Sequence, residues 1–187
     1  MSEIADTIQE SLEGPKNRIN SRVALFVAIT ATFMAICNVK DGNIVQAMSQ
    51  AQAHSIDSWS YYQAKNTKQF IAEAALDELQ QQPAANAARI QKYEADIAHY
   101  EKEKAIIKSE AEGYQKQYDD INLFDDQFDM TEALLTISIA MFGITSLTQK
   151  KWLLYFSGMV SLSGIILGLA AFMNISLHSD LISRLLS

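Results

Sequence analysis

The chain has 187 residues, a formal net charge of -7 and one cysteine, Cys37. The acidic balance argues against a general nucleic-acid platform. A lone cysteine permits no intrachain disulfide.

Residues 1–22 carry Ile4, Ile8 and Leu12 on one helical face and acids on the other. This predicts an amphipathic helix ended by Gly14-Pro15. Its acidic character suits a protein groove or a sister copy better than anionic lipid. Glu3, Asp6, Glu10 and Glu13 are also wrong for the short basic leader of a secretory signal, so the apolar stretch that follows reads as an uncleaved anchor.

Three stretches, Val23–Val39, Ala133–Leu147 and Trp152–Met173, carry no Asp, Glu, Lys or Arg. A hydrocarbon core about 30 Å thick needs roughly 17–25 apolar residues. Met130 and Thr131 extend the second stretch to that length. A chain this small cannot bury three such helices under its remaining residues, so all three read as membrane spans.

Lys16, Arg18 and Arg22 precede the first span, and Lys150 and Lys151 fill the turn between the second and third. By the positive-inside rule these flanks face the cytoplasm. Asp41-Gly42 reads as a breaker after the first span.

The insert between the first two spans has no Gly from Asn43 until Gly113 and a single proline, Pro83, and it is rich in Ala, Gln, Glu and Lys. These are good helix formers, and Pro83 is tolerated at the start of a second helix. In that second helix Ile90, Tyr93, Ile97, Tyr100, Lys104, Ile107, Ala111, Tyr114, Tyr118 and Ile121 are spaced alternately by three and four. That is a heptad seam. Folding the chain back about Pro83 sets Lys104 near Tyr62 and Trp59, Ile107 opposite Trp59, and Tyr118 opposite Met48. The first helix is too polar to satisfy this seam completely, which argues for a further helix from another protomer or partner. Lys104 has a structural role in this register, with a cation–π contact within reach.

Asp119, Asp120, Asp125, Asp126, Asp129 and Glu132 cluster where the insert meets the second span. Their spacing matches no known cation loop, and Asp129-x-x-Glu132 has the form of a capping box. Whether Asp125, Asp126 and Asp129 bind a cation stays open at this point. His54, His99 and His178 show no ligand spacing, and no phosphate loop, nucleophile elbow or paired-Cys motif is present. The third span carries small residues at Ser157, Ser161, Gly164, Gly168 and Ala171, and the first has Ala24, Ala28, Ala31 and Ala35. Such stripes favour a tight bundle, within one chain or between chains. The tail Leu177–Leu186 is short and amphipathic.

Several of these stretches resemble a family of bacterial membrane proteins known only as domain of unknown function 4337. They are Asp41-Gly42-Asn43, Trp59-Ser60-Tyr61-Tyr62-Gln63-Ala64-Lys65, Tyr93-Glu94, Tyr100-Glu101-Lys102-Glu103 and Phe128-Asp129-Met130-Thr131-Glu132-Ala133-Leu134-Leu135. The resemblance implies architecture and bacterial origin, and brings no activity or functional residue with it.

The expected fold is all-α. It has three transmembrane helices, with a long extracytoplasmic antiparallel helical hairpin, a coiled coil, inserted between the first and second. The expected divisions are a cytoplasmic segment over 1–22, spans over 23–39, 130–148 and 152–173, the hairpin over 40–129, and an extracytoplasmic tail over 174–187. The expected location is the bacterial inner membrane. The expected function is a non-enzymatic membrane scaffold or accessory subunit, without cofactor or metal, whose partners are the lipid bilayer and copies of itself or other membrane-protein subunits. Its packing residues are Trp59, Tyr62, Lys104, Ile107, Tyr114, Gly164 and Gly168. The alternative is a small oligomeric channel or transport accessory, with Thr30, Thr32, Thr136, Ser138 and Thr145 lining a polar path.

Overall fold

The computed structural model describes residues 2–81 and 83–175, with side chains from Arg18 onward apart from Ala85. The described residues form three helices and no strand: α1 over Ser2–Leu79, α2 over Pro83–Thr148 and α3 over Lys151–Phe172. All three are long and apolar enough to cross a membrane.

Three expected boundaries are absent. α1 runs without interruption through Gly14-Pro15 and through Asp41-Gly42. α2 likewise runs through the junction near residue 129, so Asp129-x-x-Glu132 lies inside a helix and caps nothing. Two long helices therefore replace the shorter hairpin helices and separate spans. A glycine inside a helix costs only about 1 kcal/mol relative to alanine. Less exposed positions continue on both sides of Gly42, at Cys37, Asp41, Ile44 and Met48, and their packing outweighs that cost. The side chains of Ile4, Ile8 and Leu12, and the tail Leu177–Leu186, lie outside the described residues.

The chain divides into two compact units, one formed by residues 1–45 with 122–187 and the other by Gln46–Ile121. In the first unit, Ile19, Val23, Phe142 and Leu154 form a buried cluster with Val27 packed against it. Phe26 stacks on Phe142 at 5.6 Å between ring centroids, and Phe128 meets Phe172 edge-on at 5.3 Å. The buried face of α3 consists of Leu154, Ser157, Ser161, Gly164, Gly168 and Ala171. Small residues there let the helices approach closely. A Cβ added at Gly168 would lie 2.9 Å from both the Phe33 ring and the Thr131 methyl, and one at Gly164 would lie 2.9 Å from Leu135 Cδ2. Thr30 Oγ1 and Ser161 Oγ lie 2.7 Å apart in the same interior. The alanine stripe of the first apolar stretch behaves otherwise: Ala24, Ala28 and Ala35 are exposed and Ala31 is half-buried. The inward face of α1 is instead Ile19, Val23, Thr30 and Cys37, and Phe33 of α1 packs where Gly168 of α3 leaves room.

α2 ends at a tight turn. Gln149 there has φ 55°, the left-handed conformation common just past a helix end. Its Nε2 donates to Asn20 Oδ1 at 2.8 Å, and Ser146 Oγ bonds the same oxygen at 3.0 Å. Gln127 is buried and donates from Nε2 to the carbonyls of Leu167 at 3.0 Å and Ile175 at 3.3 Å. That contact ties α2 to the C-terminal end of α3 and to Ile175 just beyond it.

Within the second unit, α1 and α2 pair in opposite directions. Ser55 Oγ donates to the Ala111 carbonyl at 3.2 Å, His54 stacks on Tyr114 at 5.0 Å, and Lys65 bonds Glu103 at 2.7 Å. Residue numbers fall along one helix as they rise along the other, which is the antiparallel sense.

Candidate functional site

Two groups of polar side chains stand out, one in each unit. In the Gln46–Ile121 unit, Lys65 is 9% exposed and its Nζ lies 2.7 Å from Glu103 Oε2. The same ammonium sits 5.1 Å from the Tyr61 ring centroid and 5.7 Å from that of Tyr100. The cation is thus held by one carboxylate and two aromatic faces. The hydrogen bond to Glu103, then that to Tyr61, raises the Lys65 pKa above its ordinary 10.5. The bond from Lys65 holds the Glu103 carboxyl below its ordinary 4.5.

Lys104 is half-buried. It donates to Asn66 Oδ1 at 2.8 Å and lies 5.7 Å from the Tyr62 ring centroid. Trp59 packs edge-on against Tyr62 of its own helix at 5.6 Å and is 36% exposed. Ile107 is buried, and Tyr114 lies against His54. These residues therefore gather in one helix pair, while Gly164 and Gly168 lie in the other unit.

Sequence reasoning missed Lys65, which entered only as the last residue of a resembling stretch. A signal for it exists. Ile44, Met48, Ala51, Ser55, Tyr62, Lys65, Ala72 and Leu79 are the buried or half-buried positions of a spacing by three, four and seven. Three of the eight are polar or tyrosine and two are alanine, so the stripe does not read as strongly apolar.

A charge enclosed in this way is lost at a cost when its partner is removed. Lys65→Met is expected to lower the thermal midpoint of the purified chain by more than Lys104→Met, followed by circular dichroism. The Lys65→Met/Glu103→Leu double replacement is expected to recover part of the loss. Equal effects of the two single replacements would place both lysines in solvent.

The second group is acidic and lies in the first unit. Asp41 of α1 joins Asp125, Asp129 and Glu132 of α2. Asp41 Oδ1 and Asp125 Oδ1 are both buried without a hydrogen-bond donor. Burial first, then the charges of Asp125, Asp129 and Glu132, push the Asp41 pKa from 3.8 to about 6. Burial, with the neighbouring Asp129 and Asp126, also raises Asp125, and Asp129 moves in the same direction chiefly through burial. A proton on Asp41 supplies the donor toward Asp125 that two carboxylates lack. No three His, Cys, Asp or Glu side chains among the described residues converge as metal ligands. Asp41, treated in the sequence as half of a breaker, is the member that sequence reasoning left out.

The hydroxyls considered for a polar path are mostly engaged within the chain. Ser138 donates to the Leu135 carbonyl at 2.7 Å and Thr145 to that of Met141 at 2.8 Å. Thr136 Oγ1 lies 3.6 Å from Met34 Sδ, and Thr32 is exposed.

These features define an all-helical protein with three helices of membrane-spanning length and apolarity. The chain belongs to the family described as domain of unknown function DUF4337, which matches residues 19–174. No curated protein and no solved structure matches it significantly.

Proposed function

We propose that the protein is a non-enzymatic integral membrane scaffold or accessory subunit that works through helix packing in an oligomer or a larger membrane complex. The observation that carries this reading is the surface of the polar unit. Ile56, Trp59, Phe70, Ile71 and Ile106 are 57%, 36%, 69%, 61% and 62% exposed there. At about 100° per residue, Ile56, Trp59 and Phe70 fall within about 60° of one another on α1. Large apolar side chains left open on a soluble surface mark an interaction site.

In this reading the Gln46–Ile121 helix pair is an extracytoplasmic antiparallel coiled coil between the first two spans of a bacterial inner-membrane protein. The alternating spacing of its half-buried positions supports the coiled coil. The basic residues Arg18, Arg22, Lys150 and Lys151 support an inward N-terminus and an inward α2–α3 turn.

Native mass spectrometry of the full chain in mild detergent tests the scaffold. An oligomer or a stoichiometric co-purifying subunit is expected, and Phe70→Glu should shift it toward monomer. A wild-type chain that remains a lone monomer overturns the proposal. Orientation has its own test. Cysteine introduced by Ala84→Cys in a Cys37→Ala background should react with a membrane-impermeant maleimide in intact spheroplasts. Labelling only after lysis would reverse the topology.

A further inference from the structure

An open apolar groove runs along α1 and α3 in the first unit, with a volume of about 530 Å³. Its walls are Leu25 and Phe26 on one side and Tyr155 and Leu162 on the other, with Gly158 between them and Arg22 at one end. From Leu154 to Leu162 it extends about 12 Å along α3, the reach of a large part of one acyl chain. A Cβ added at Gly158 would meet nothing within 4 Å, so the groove is open at that point. Leu25, Tyr155, Met159 and Leu162 are 60%, 67%, 69% and 57% exposed. No described residue covers them.

Among the described residues, the charge at the Arg22 end is of one sign. From Arg18 to Ile36 and from Ala133 to Val160 there is no Asp or Glu, while Arg18, Arg22, Lys150 and Lys151 all lie in these stretches. The bonds from Ser146 and Gln149 to Asn20 hold the α2–α3 turn, and with it Lys150, at the same end of the unit as Arg22. Arg22 forms no ion pair among the described residues. A guanidinium is suited to a phosphate oxygen, and an apolar channel leading away from it is suited to a hydrocarbon chain.

We infer that this groove holds one anionic phospholipid, with its headgroup phosphate on Arg22 and an acyl chain lying over Gly158 between Phe26 and Leu162. The inference rests on the membrane reading above. Lysines near a bilayer surface add to the attraction for anionic headgroups, so Lys150 and Lys151 reinforce the preference that Arg22 sets.

The test begins with alkaline extraction of membranes from cells expressing the full chain. Release into the soluble fraction would defeat the membrane reading itself. With the chain retained, native mass spectrometry in detergent compares added phosphatidylglycerol with phosphatidylcholine of the same acyl chains. The wild type is expected to keep one phosphatidylglycerol about five-fold more readily than phosphatidylcholine. Arg22→Gln should lose most of that preference, keeping only what Lys150 and Lys151 add. Gly158→Leu should fill the groove and lose both, with an unchanged helical signal. Equal retention of the two lipids by the wild type, or undiminished retention by folded Gly158→Leu, overturns the proposal while leaving the membrane reading intact.

Discussion

Gly168→Leu is expected to lower the stability of the first unit by about 2–3 kcal/mol, the upper part of the range for overpacking a well-filled interior. The Cβ alone would stand 2.9 Å from the Phe33 ring and 2.9 Å from the Thr131 methyl, distances at which something must move. Phe33 belongs to α1 and Thr131 to α2, so the added side chain presses against two other helices at once. Thr131 is fully buried and its hydroxyl is already bonded to the Gln127 carbonyl at 2.9 Å, which leaves it little room to turn away. Gly143→Leu is the control, because a Cβ there meets nothing within 4 Å. That replacement gains helix propensity and is expected to be neutral or slightly stabilising. Thermal unfolding of both variants in one detergent decides the matter. If Gly168→Leu melts with the wild type, α3 does not pack against α1 and α2 through this glycine.

The contrast between the two small-residue stripes explains how far the bundle was legible. On α3 the residues Ser157, Ser161, Gly164, Gly168 and Ala171 all lie on the buried face, which also includes Leu154. On α1 an equally regular alanine stripe points largely outward, while Val23, Thr30 and Cys37 point inward. Spacing alone identifies a face and does not say which face meets a partner. The residues leading into the second apolar stretch likewise gave no warning that Gln127 would be buried and bonded to the end of α3, since that depends on where the two helices meet.

Helix ends were the least legible feature. Asp41-Gly42 and Gly14-Pro15 carry strong local signals, and α1 passes through both. Local punctuation costs at most a few kcal/mol, and a seam continuing on both sides of Gly42 outweighs it there. In the Gln46–Ile121 unit the seam residues of α2, from Ile90 to Ile121, are all half-buried or buried. They read clearly because eight of the ten are Ile or Tyr. Their partners on α1 include Ser55 and Lys65, whose roles depend on the Ala111 carbonyl and the Glu103 carboxylate across the pair. A polar residue whose partner sits on another helix carries no periodic apolar signal of its own.

The same reasoning applies to Asp41, and leads to an expected pH dependence. Its carboxyl titrates at about 6 in the folded chain against an ordinary 3.8. The folded state therefore holds a proton between about pH 4 and pH 6 that the unfolded chain has released. Stability associated with this group is fully present below pH 4 and is lost as the pH rises through 6. Asp125 and Asp129 are shifted in the same direction and add to the loss. A shift of about two units corresponds to almost 3 kcal/mol if unscreened. Solvent access to this half-buried group reduces that to about 1 kcal/mol for Asp41 alone. Asp41→Asn retains an N–H donor for Asp125 and removes one negative charge from the cluster. The wild type is expected to melt higher at pH 5 than at pH 7.5, and Asp41→Asn to flatten much of that difference and exceed the wild type at pH 7.5. Asp57→Asn, an exposed change in the other unit, should leave the wild-type pH dependence in place. A wild type that gains stability between pH 5 and 7.5 would show that Asp41 and Asp125 are both ionised and solvated, and that no proton is shared between α1 and α2.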